Sequence, residues 1–281
     1  MAVYVQEAVS RDPSPALDAY ERLAPVYDLL TAGYDHPTWL GELELLARAH
    51  GLSGRRLLDL ACGTGKSFLP MLARGYSVSA CDISPAMVEI AREKVSPDAV
   101  RLFVADMREL PELEPVDLVT CLDDAINYLL EPEDLLSALC CIERVLAPGG
   151  LAVFDVNTIA TYRSSFASDF ALEGAASFLC WRGLVNGEFA EGGLGEAAIE
   201  VFEEEPDGRW RRTTSLHVQR HHPRALLEGA IRAAGLEPAA VRGQVRGGRL
   251  QPLADELVHP KLVYLARKPK LGGGAWSSSR S

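Results

Sequence analysis

The chain has 281 residues and a formal net charge of −11 at pH 7, and 48% of its residues are hydrophobic. This length and apolar content suffice for one large α/β domain, or for one domain with a small cap. The acidic charge argues against a nucleic-acid partner, because a negative surface repels the phosphate backbone. No run of about 18 apolar residues predicts a membrane span, and the N-terminus lacks the features of a signal peptide.

The six cysteines form no Cys-x-x-Cys pair. We therefore expect neither a disulfide framework nor a bound metal. Reduced thiols predict a cytoplasmic protein. We expect this protein to be a monomer or a homodimer.

The N-terminal segment, residues 1–50, is predicted to be helical and carries several aromatic residues. Trp39, Leu40 and Leu43 have the spacing of a buried helix face. Tyr27 is the tyrosine that we favour for a binding site, ahead of Tyr20. An aromatic ring beside a cation contributes about 0.5–2 kcal/mol.

A buried strand over residues 56–61 leads into a glycine turn, Cys62-Gly63-Thr64-Gly65, and then into an amphipathic stretch. Glycines there allow the backbone to pass close to a ligand. The third glycine of the dinucleotide fingerprint and the P-loop spacing are both missing. Asp59 interrupts the apolar strand, and such a charge is costly when it is buried without a partner.

A second strand, residues 76–81, ends at Asp82 and is followed by a helix that Ser84 and Pro85 open. An acid at this place, about 20 residues beyond the glycine turn, is where βαβ nucleotide folds bind the ribose hydroxyls. The alternative is that Asp82 only caps the turn.

Together these segments resemble motifs I and II of the class I S-adenosylmethionine-dependent methyltransferases. Residues 100–108, 116–123 and 146–155 resemble the third, fourth and fifth strand segments of that family. The chain resembles the small-molecule type of this family, such as sugar N-methyltransferases and glycine N-methyltransferase. The resemblance implies an α/β fold with a Rossmann-like, doubly wound sheet of seven strands, the last of them antiparallel.

The resemblance also implies a cofactor, S-adenosyl-L-methionine, with S-adenosyl-L-homocysteine as its product. Asp59 would hold the methionine ammonium, Asp82 the ribose diol and Asp106 the adenine amine. The full set of cofactor-binding residues would be Tyr27, Asp59, Ala61, Gly63, Gly65, Asp82, Ile83, Asp106, Met107 and Leu122.

Beyond residue 157 the alternation of strands and helices breaks. Strands are predicted over residues 177–184, 197–205 and 210–220, a helix over 223–234 that ends before Gly235, and two last strands over 236–245 and 257–267. We therefore expect a core of residues 51–157 and 222–268. An antiparallel β insertion, residues 158–221, would act as a substrate lid, and residues 269–281 would form a disordered tail.

The predicted reaction is direct in-line transfer of the methyl group to a nitrogen or oxygen of a small-molecule acceptor. A hydroxyl acceptor would need a base, for which His217 and Asp123 are the candidate catalytic residues. His217, Gln219 and His221 share one face of their strand, a spacing that does not suit a zinc site. Their alternative role is structural.

Three other functions stay open. The chain could bind the cofactor as a catalytically inactive regulatory protein, or it could be an RNA methyltransferase, which the acidic charge disfavours. An NAD-dependent oxidoreductase is the third, and the missing glycine argues against it.

Overall fold

A computed structural model describes residues 15–245 and 247–270 of the chain. Within these ranges the strands form a sheet of eight and a separate sheet of four. From residue 271 onward the predicted disordered tail lies outside the described residues, as do residues 1–14 of the predicted helical segment. No helix in the described ranges has the length and apolar character needed to cross a membrane.

The helices and strands alternate through the first half of the chain, as predicted. The α-helices are α1 (Pro15–Leu23), α2 (Tyr27–Leu30), α3 (His36–Ala49), α4 (Leu69–Ala73), α5 (Pro85–Glu93), α6 (Pro132–Val145), α7 (Ile159–Ser164) and α8 (Arg224–Ala233). Short 3-10 turns cover Ala24–Val26, Ala125–Tyr128 and Ser165–Ala167.

The large sheet has the strand order β11-β10-β12-β5-β4-β1-β2-β3. Its strands are β1 (Arg56–Leu60), β2 (Ser77–Asp82), β3 (Val100–Val104), β4 (Val116–Cys121), β5 (Leu146–Asn157), β10 (Glu237–Val245), β11 (Arg249–Gln251) and β12 (Lys261–Arg267), and the second sheet contains β6 (Asp169–Glu173), β7 (Ser177–Gly183), β8 (Leu194–Glu204) and β9 (Trp210–Arg220). Strands β1 to β5 run parallel, and β12 pairs antiparallel with β5.

The predicted doubly wound α/β fold with its antiparallel last strand is confirmed. The sheet has eight strands in the described residues where seven were expected. The extra strand is β11, which pairs with β10 across a turn that contains Gly247 and Gly248. Both glycines have positive φ values, a conformation that few other residues adopt, and this lets the chain reverse within a few residues.

Local sequence signals explain where the helices beside the sheet begin and end. Ser84 caps α5 by accepting a hydrogen bond from the Met87 amide, and Pro85 is its first residue. Gly235, with φ of 83°, follows the end of α8 as predicted. The cap of α5 fixes the loop at the carboxyl end of β2, where ligands bind in such sheets.

The second sheet contains the three strands predicted beyond residue 157, and β6 as a fourth that was not predicted. The N-terminal helices lie between the two sheets. Leu23 and Val26 pack against apolar side chains of β7 and β8, while Trp39 and Leu40 pack into the core of the large sheet. The helical segment therefore covers the carboxyl ends of the parallel strands.

Candidate active site

A narrow cleft lies at the carboxyl ends of the first four parallel strands. It is lined by residues that directly follow these strands and by one residue of α1: Ala16, Ala61, Ile83, Met107, Ala125 and Tyr128. Gly63, Asp82 and Leu122 complete one end, and Asp106 lines the other. The parallel sheet thus brings together most of the residues that the sequence predicts to bind the cofactor.

The backbone of the glycine turn has positive φ values at three positions. Ala61 and Gly63 both have φ of 53°, and Gly65 has φ of 93°. A Cβ atom at Gly63 would lie 3.2 Å from Cε1 of Tyr27, whereas one at Gly65 would lie 2.9 Å from Cζ of Phe68. Gly63 therefore keeps the cleft open beneath Tyr27, while Gly65 permits close packing behind the turn.

Asp82 ends β2 with a buried carboxylate. Its Oδ2 accepts a hydrogen bond from the Gly63 amide at 2.8 Å, and its Oδ1 accepts one from the Ser84 amide at 2.9 Å. Burial raises the pKa of the Asp82 carboxyl to about 6, although these amides oppose the rise. Asp82 therefore ties the glycine turn to the start of α5 and also lines the cleft.

Asp106 lines the other end of the cleft and pairs with Arg108. The guanidinium donates to both carboxylate oxygens of Asp106, at distances of 2.6–3.0 Å, and also reaches Asp134 at 2.9 Å. The Asp106 side chain is thus fixed in orientation beside Met107.

Asp59 lies behind the glycine turn and is fully buried. Thr120 Oγ1 donates a hydrogen bond to it at 2.5 Å, and the Ser67 hydroxyl donates another. Burial raises the pKa of the Asp59 carboxyl to about 7. Its role as the partner of an ammonium group stays a prediction, since the carboxylate has two hydroxyl donors and does not line the cleft.

Two acidic side chains fasten the N-terminal helices over the cleft. Glu21 accepts hydrogen bonds from the Ser84 hydroxyl at 2.6 Å and from the Ala86 amide at 3.0 Å. Asp28 accepts from Thr64 Oγ1 and from Lys94 Nζ, each at 2.6 Å. These contacts join the helical segment to the glycine turn and to α5.

A wider cavity of about 470 Å³ adjoins the narrow cleft. Tyr20, Tyr27, Asp123 and Tyr128 line both spaces and form what we call the junction. Three phenols and one carboxylate therefore surround the passage between the cleft and the wide cavity. The second sheet, including β9, forms part of the far wall.

The carboxylate at the junction belongs to a strained turn. Asp123 and Asp124 have φ values of 56° and 57°, in the left-handed region that non-glycine residues rarely adopt. His36 Nε2 lies 3.1 Å from Asp123 Oδ2. Burial alone would raise the pKa of the Asp123 carboxyl, but the hydrogen bond with His36 and the charge of Lys261 lower it below its usual value. Asp123 is therefore negatively charged at neutral pH.

His217 lies in the wall of the wide cavity behind the aromatic junction. Its Nδ1 lies 2.9 Å from the Tyr128 hydroxyl, its Nε2 lies 3.1 Å from Ser215 Oγ, and its ring packs edge-on against Tyr20. Burial lowers the pKa of His217 to about 4. The imidazole is therefore neutral at pH 7, with both nitrogens engaged.

The sequence did not single out His36 or Lys261, yet both meet Asp123 in the wide cavity. His36 only begins a helix and Lys261 only begins a strand, so neither lies in a recognisable motif. Asp124 and Tyr128 also line the wide cavity and follow Asp123 in the sequence. Within the described residues, no three His, Cys, Asp or Glu side chains group as a metal site.

Comparison with known proteins finds matches over the part of the chain that carries most of this cleft. Residues 57–150 match the family model of the methyltransferase domain. Over 134 residues the chain is 35% identical to dTDP-4-amino-2,3,4,6-tetradeoxy-D-glucose N,N-dimethyltransferase of Saccharopolyspora spinosa, a match that covers 47% of this chain and 53% of the relative. The chain spans little more than half the length of the curated relatives it matches.

Solved structures share the fold over most of the chain. A S-adenosylmethionine-dependent methyltransferase from Clostridium acetobutylicum superposes with a TM-score of 0.73 at 23% identity, covering 89% of this chain and 99% of the other. The sugar N-methyltransferase KedS8 from Streptoalloteichus superposes with a TM-score of 0.69 at 23% identity, covering 96% of this chain and 99% of the other.

Proposed function

From its class I methyltransferase domain, we propose that this chain transfers the methyl group of S-adenosylmethionine to an amine nitrogen of a small-molecule acceptor. The observation that carries this proposal is the junction, where Tyr20, Tyr27, Asp123 and Tyr128 line both the narrow cleft and the wide cavity. A donor in the cleft and an acceptor in the cavity would meet there.

The residues of the cleft fit the proposed cofactor. Gly63 leaves beneath Tyr27 a space that a Cβ atom would fill, and the buried carboxylate of Asp82 lies beside it. Asp106 and Met107 line the other end, where an adenine would find a carboxylate and an apolar surface. When bound, S-adenosylmethionine supplies an electrophilic methyl group and leaves S-adenosylhomocysteine, while a proton leaves the acceptor nitrogen.

The chain's own residues would bind and orient the acceptor. The Asp123 carboxylate is charged and would attract the amino group of the acceptor to the junction, where the nitrogen would react as the neutral amine once an ammonium proton has passed to solvent. The faces of the tyrosine rings favour a cation. Residues of the N-terminal helices and of the second sheet line the wide cavity beside this passage. Alignment of two reactants in this way contributes about 7–11 kcal/mol through effective molarity.

An amine acceptor is favoured over a hydroxyl. A hydroxyl needs a general base whose pKa lies near the working pH. Both candidate bases, His217 and Asp123, have pKa values below their usual ranges, so neither holds a proton well at pH 7. The name of the Saccharopolyspora relative, an N,N-dimethyltransferase of an amino sugar, supports the same choice.

Calorimetry tests the cofactor. We expect S-adenosylmethionine and S-adenosylhomocysteine to bind and NAD not to bind. Asp82→Ala should weaken S-adenosylhomocysteine at least about 10-fold, because a carboxylate that accepts charge-assisted hydrogen bonds is lost. Asp117→Ala is the matched control, since Asp117 accepts a hydrogen bond from the Arg56 amide at 2.9 Å but does not line the cleft. Absence of binding overturns the proposal.

Turnover tests the acceptor. A panel of amino sugars, small amines, alcohols and RNA would be incubated with methyl-labelled S-adenosylmethionine. Label transfer to an amine supports the proposal, and transfer only to a hydroxyl or to RNA contradicts it. Cofactor binding without transfer to any member of the panel favours a regulatory protein that has lost catalysis.

We also propose a cytoplasmic protein that is a monomer or a homodimer and has no nucleic-acid partner. The six free cysteines support a reducing compartment. The net charge of −11 supports the absence of a nucleic-acid partner. Light scattering after size-exclusion chromatography measures the oligomeric state, and a trimer or larger assembly contradicts this proposal.

A further inference from the structure

Lys261 is a buried cation at the start of β12, next to the strained turn. Its Nζ lies 2.7 Å from Asp124 Oδ1 and 3.2 Å from Asp155 Oδ2. Only 8% of its side chain is exposed. Burial by itself would lower the pKa of the Lys261 ammonium, but the surrounding carboxylates outweigh it and raise the pKa well above its usual range. The ammonium is therefore charged.

The turn that Lys261 contacts needs such a constraint. Two successive non-glycine residues with left-handed backbones, Asp123 and Asp124, are strained and persist only where their surroundings fix them. The Asp124 amide donates to Asp155 Oδ1 at 2.7 Å, and Gln219 Nε2 donates to Asp124 Oδ2 at 2.5 Å. Lys261, at the start of β12, adds hydrogen bonds to the carboxylates of both Asp124 and Asp155.

The Asp123 side chain lines the wide cavity and is not hydrogen-bonded to Lys261. Its Oδ1 lies 3.9 Å from Lys261 Nζ, which is beyond hydrogen-bond distance. The lysine hydrogen-bonds instead to Asp124 and Asp155, and these two carboxylates share its single positive charge. Asp123 therefore retains a carboxylate oxygen that can meet a cationic group at the junction.

We propose that Lys261 is a positioning residue, which holds the Asp123 carboxylate at the junction by joining Asp124 to Asp155. This inference rests on the proposed function, because it assigns Asp123 the task of facing the nitrogen that receives the methyl group. It makes the first residue of β12 part of the acceptor site without contact between Lys261 and the reacting atoms.

Sinefungin gives a test that needs no known acceptor. It is an analogue of S-adenosylmethionine with an amino group in place of the transferred methyl group, so its ammonium would lie at the junction. The measured quantity is the preference, the Kd of S-adenosylhomocysteine divided by the Kd of sinefungin, by calorimetry at pH 7. We expect the wild type to prefer sinefungin about 10-fold, the value of one charge-assisted hydrogen bond.

The variants separate position from charge. Asp123→Asn sets the value expected when the carboxylate is absent. Lys261→Met should lower the preference to that value, with the affinity for S-adenosylhomocysteine changed less than about 3-fold, since the cleft residues remain. Lys268→Met is the matched control, because Lys268 lies beyond the opposite end of β12 and pairs with Glu143.

A second variant keeps the proposal testable if Lys261→Met does not fold. Lys261→Met leaves the buried carboxylate of Asp155 and the partly buried carboxylate of Asp124 without their partner, which destabilises strongly. Lys261→Met with Asp155→Asn keeps the wild-type net charge and should still lose the preference. If Lys261 acted only by its charge, the single variant would prefer sinefungin more strongly and the double variant would behave as wild type. Either result overturns the proposal, and so does equal wild-type affinity for both ligands.

Failure of the proposed function gives a different result. If the cofactor assignment fails, neither S-adenosylhomocysteine nor sinefungin binds the wild type. If only the amine acceptor fails, both ligands bind and the acceptor panel shows no transfer to an amine. A wild type that binds both and prefers sinefungin, together with a folded Lys261→Met variant that keeps this preference, leaves the proposed function standing and removes only the role of Lys261.

Discussion

The hydroxyl group of Tyr128 lies 2.9 Å from Nδ1 of His217 and joins the segment after β4 to strand β9 of the second sheet. Ser215 engages the other ring nitrogen at 3.1 Å. The histidine is thereby built into the wall of the wide cavity. Its neighbours suit a neutral imidazole that supports Tyr128 at the junction.

His217→Gln should reduce methyl transfer less than about 10-fold, because an amide can replace the hydrogen bonds and no proton transfer by a base is lost. The pKa of about 4 in the folded protein lies below the usual 6.5, so the unfolded chain binds a proton first as the pH falls. Stability is therefore present above pH 6.5 and is lost toward pH 4.

Urea unfolding of the wild type and His217→Gln measures this loss. Between pH 7.5 and pH 5 the wild type should lose about 2 kcal/mol more than the variant. His222 shows the same pKa shift but is present in both proteins, so its effect cancels. Parallel pH dependences would contradict the burial of a neutral His217.

Asp59→Asn should stabilise the protein at alkaline pH. The pKa of Asp59 is raised from 3.8 to about 7 by burial, so the folded state resists its ionisation. The free-energy cost of ionising the buried Asp59 carboxyl is absent below about pH 4, grows as the pH rises to about 7 and is constant above that pH. The increase in the free energy of unfolding caused by Asp59→Asn should be about 3 kcal/mol larger at pH 8 than at pH 4.5. Chemical denaturation at the two pH values measures this difference.

Asp117→Asn serves as the control with the opposite sign, since the pKa of Asp117 is lowered by its hydrogen bond with Arg56. That variant should lose stability at pH 8 and differ little from the wild type at low pH. The affinity of Asp59→Asn for S-adenosylhomocysteine separates two roles, and a change of less than about 3-fold would indicate that Asp59 only supports the glycine turn. A loss of 10-fold or more would favour the sequence-based role of Asp59 with the ammonium group.

Gly63→Ala should weaken S-adenosylhomocysteine at least about 10-fold, because the methyl group meets the Tyr27 ring at 3.2 Å and forces a left-handed alanine. Gly187→Ala is the control. Gly187 has φ of 82°, and no described atom lies within 4 Å of the place where a Cβ atom would stand. Alanine there therefore introduces backbone strain without a new contact. Both variants should lose melting temperature, and only Gly63→Ala should lose affinity. Equal affinities would place the cofactor elsewhere.

Glu21→Ala should speed the dissociation of S-adenosylhomocysteine about 10-fold, because it removes two hydrogen bonds that fasten α1 to Ser84 and Ala86. Stopped-flow displacement measures the rate. Asp18→Ala is the matched control, since Asp18 lies on the same helix and its ion pair among the described residues is with the exposed Arg22. A rate unchanged by Glu21→Ala would show that α1 does not gate the cleft.

The sequence by itself determined the parallel sheet and the cleft at its edge. Asp82 and Asp106 each follow a strand, and parallel strands place their carboxyl ends side by side, so local pattern and chain order suffice to bring these residues together. Strand alternation likewise predicted that His217, Gln219 and His221 share a face, and all three are buried.

Only the tertiary structure decided what surrounds these residues. His36 and Lys261 come from distant parts of the chain to meet Asp123, and no local pattern carries such an encounter. The tertiary structure also decided the protonation of two buried groups whose sequence contexts are ordinary. Burial raises the pKa of Asp59 and lowers the pKa of His217. Desolvation depends on every element packed around a group, and this is fixed only when the whole chain is folded.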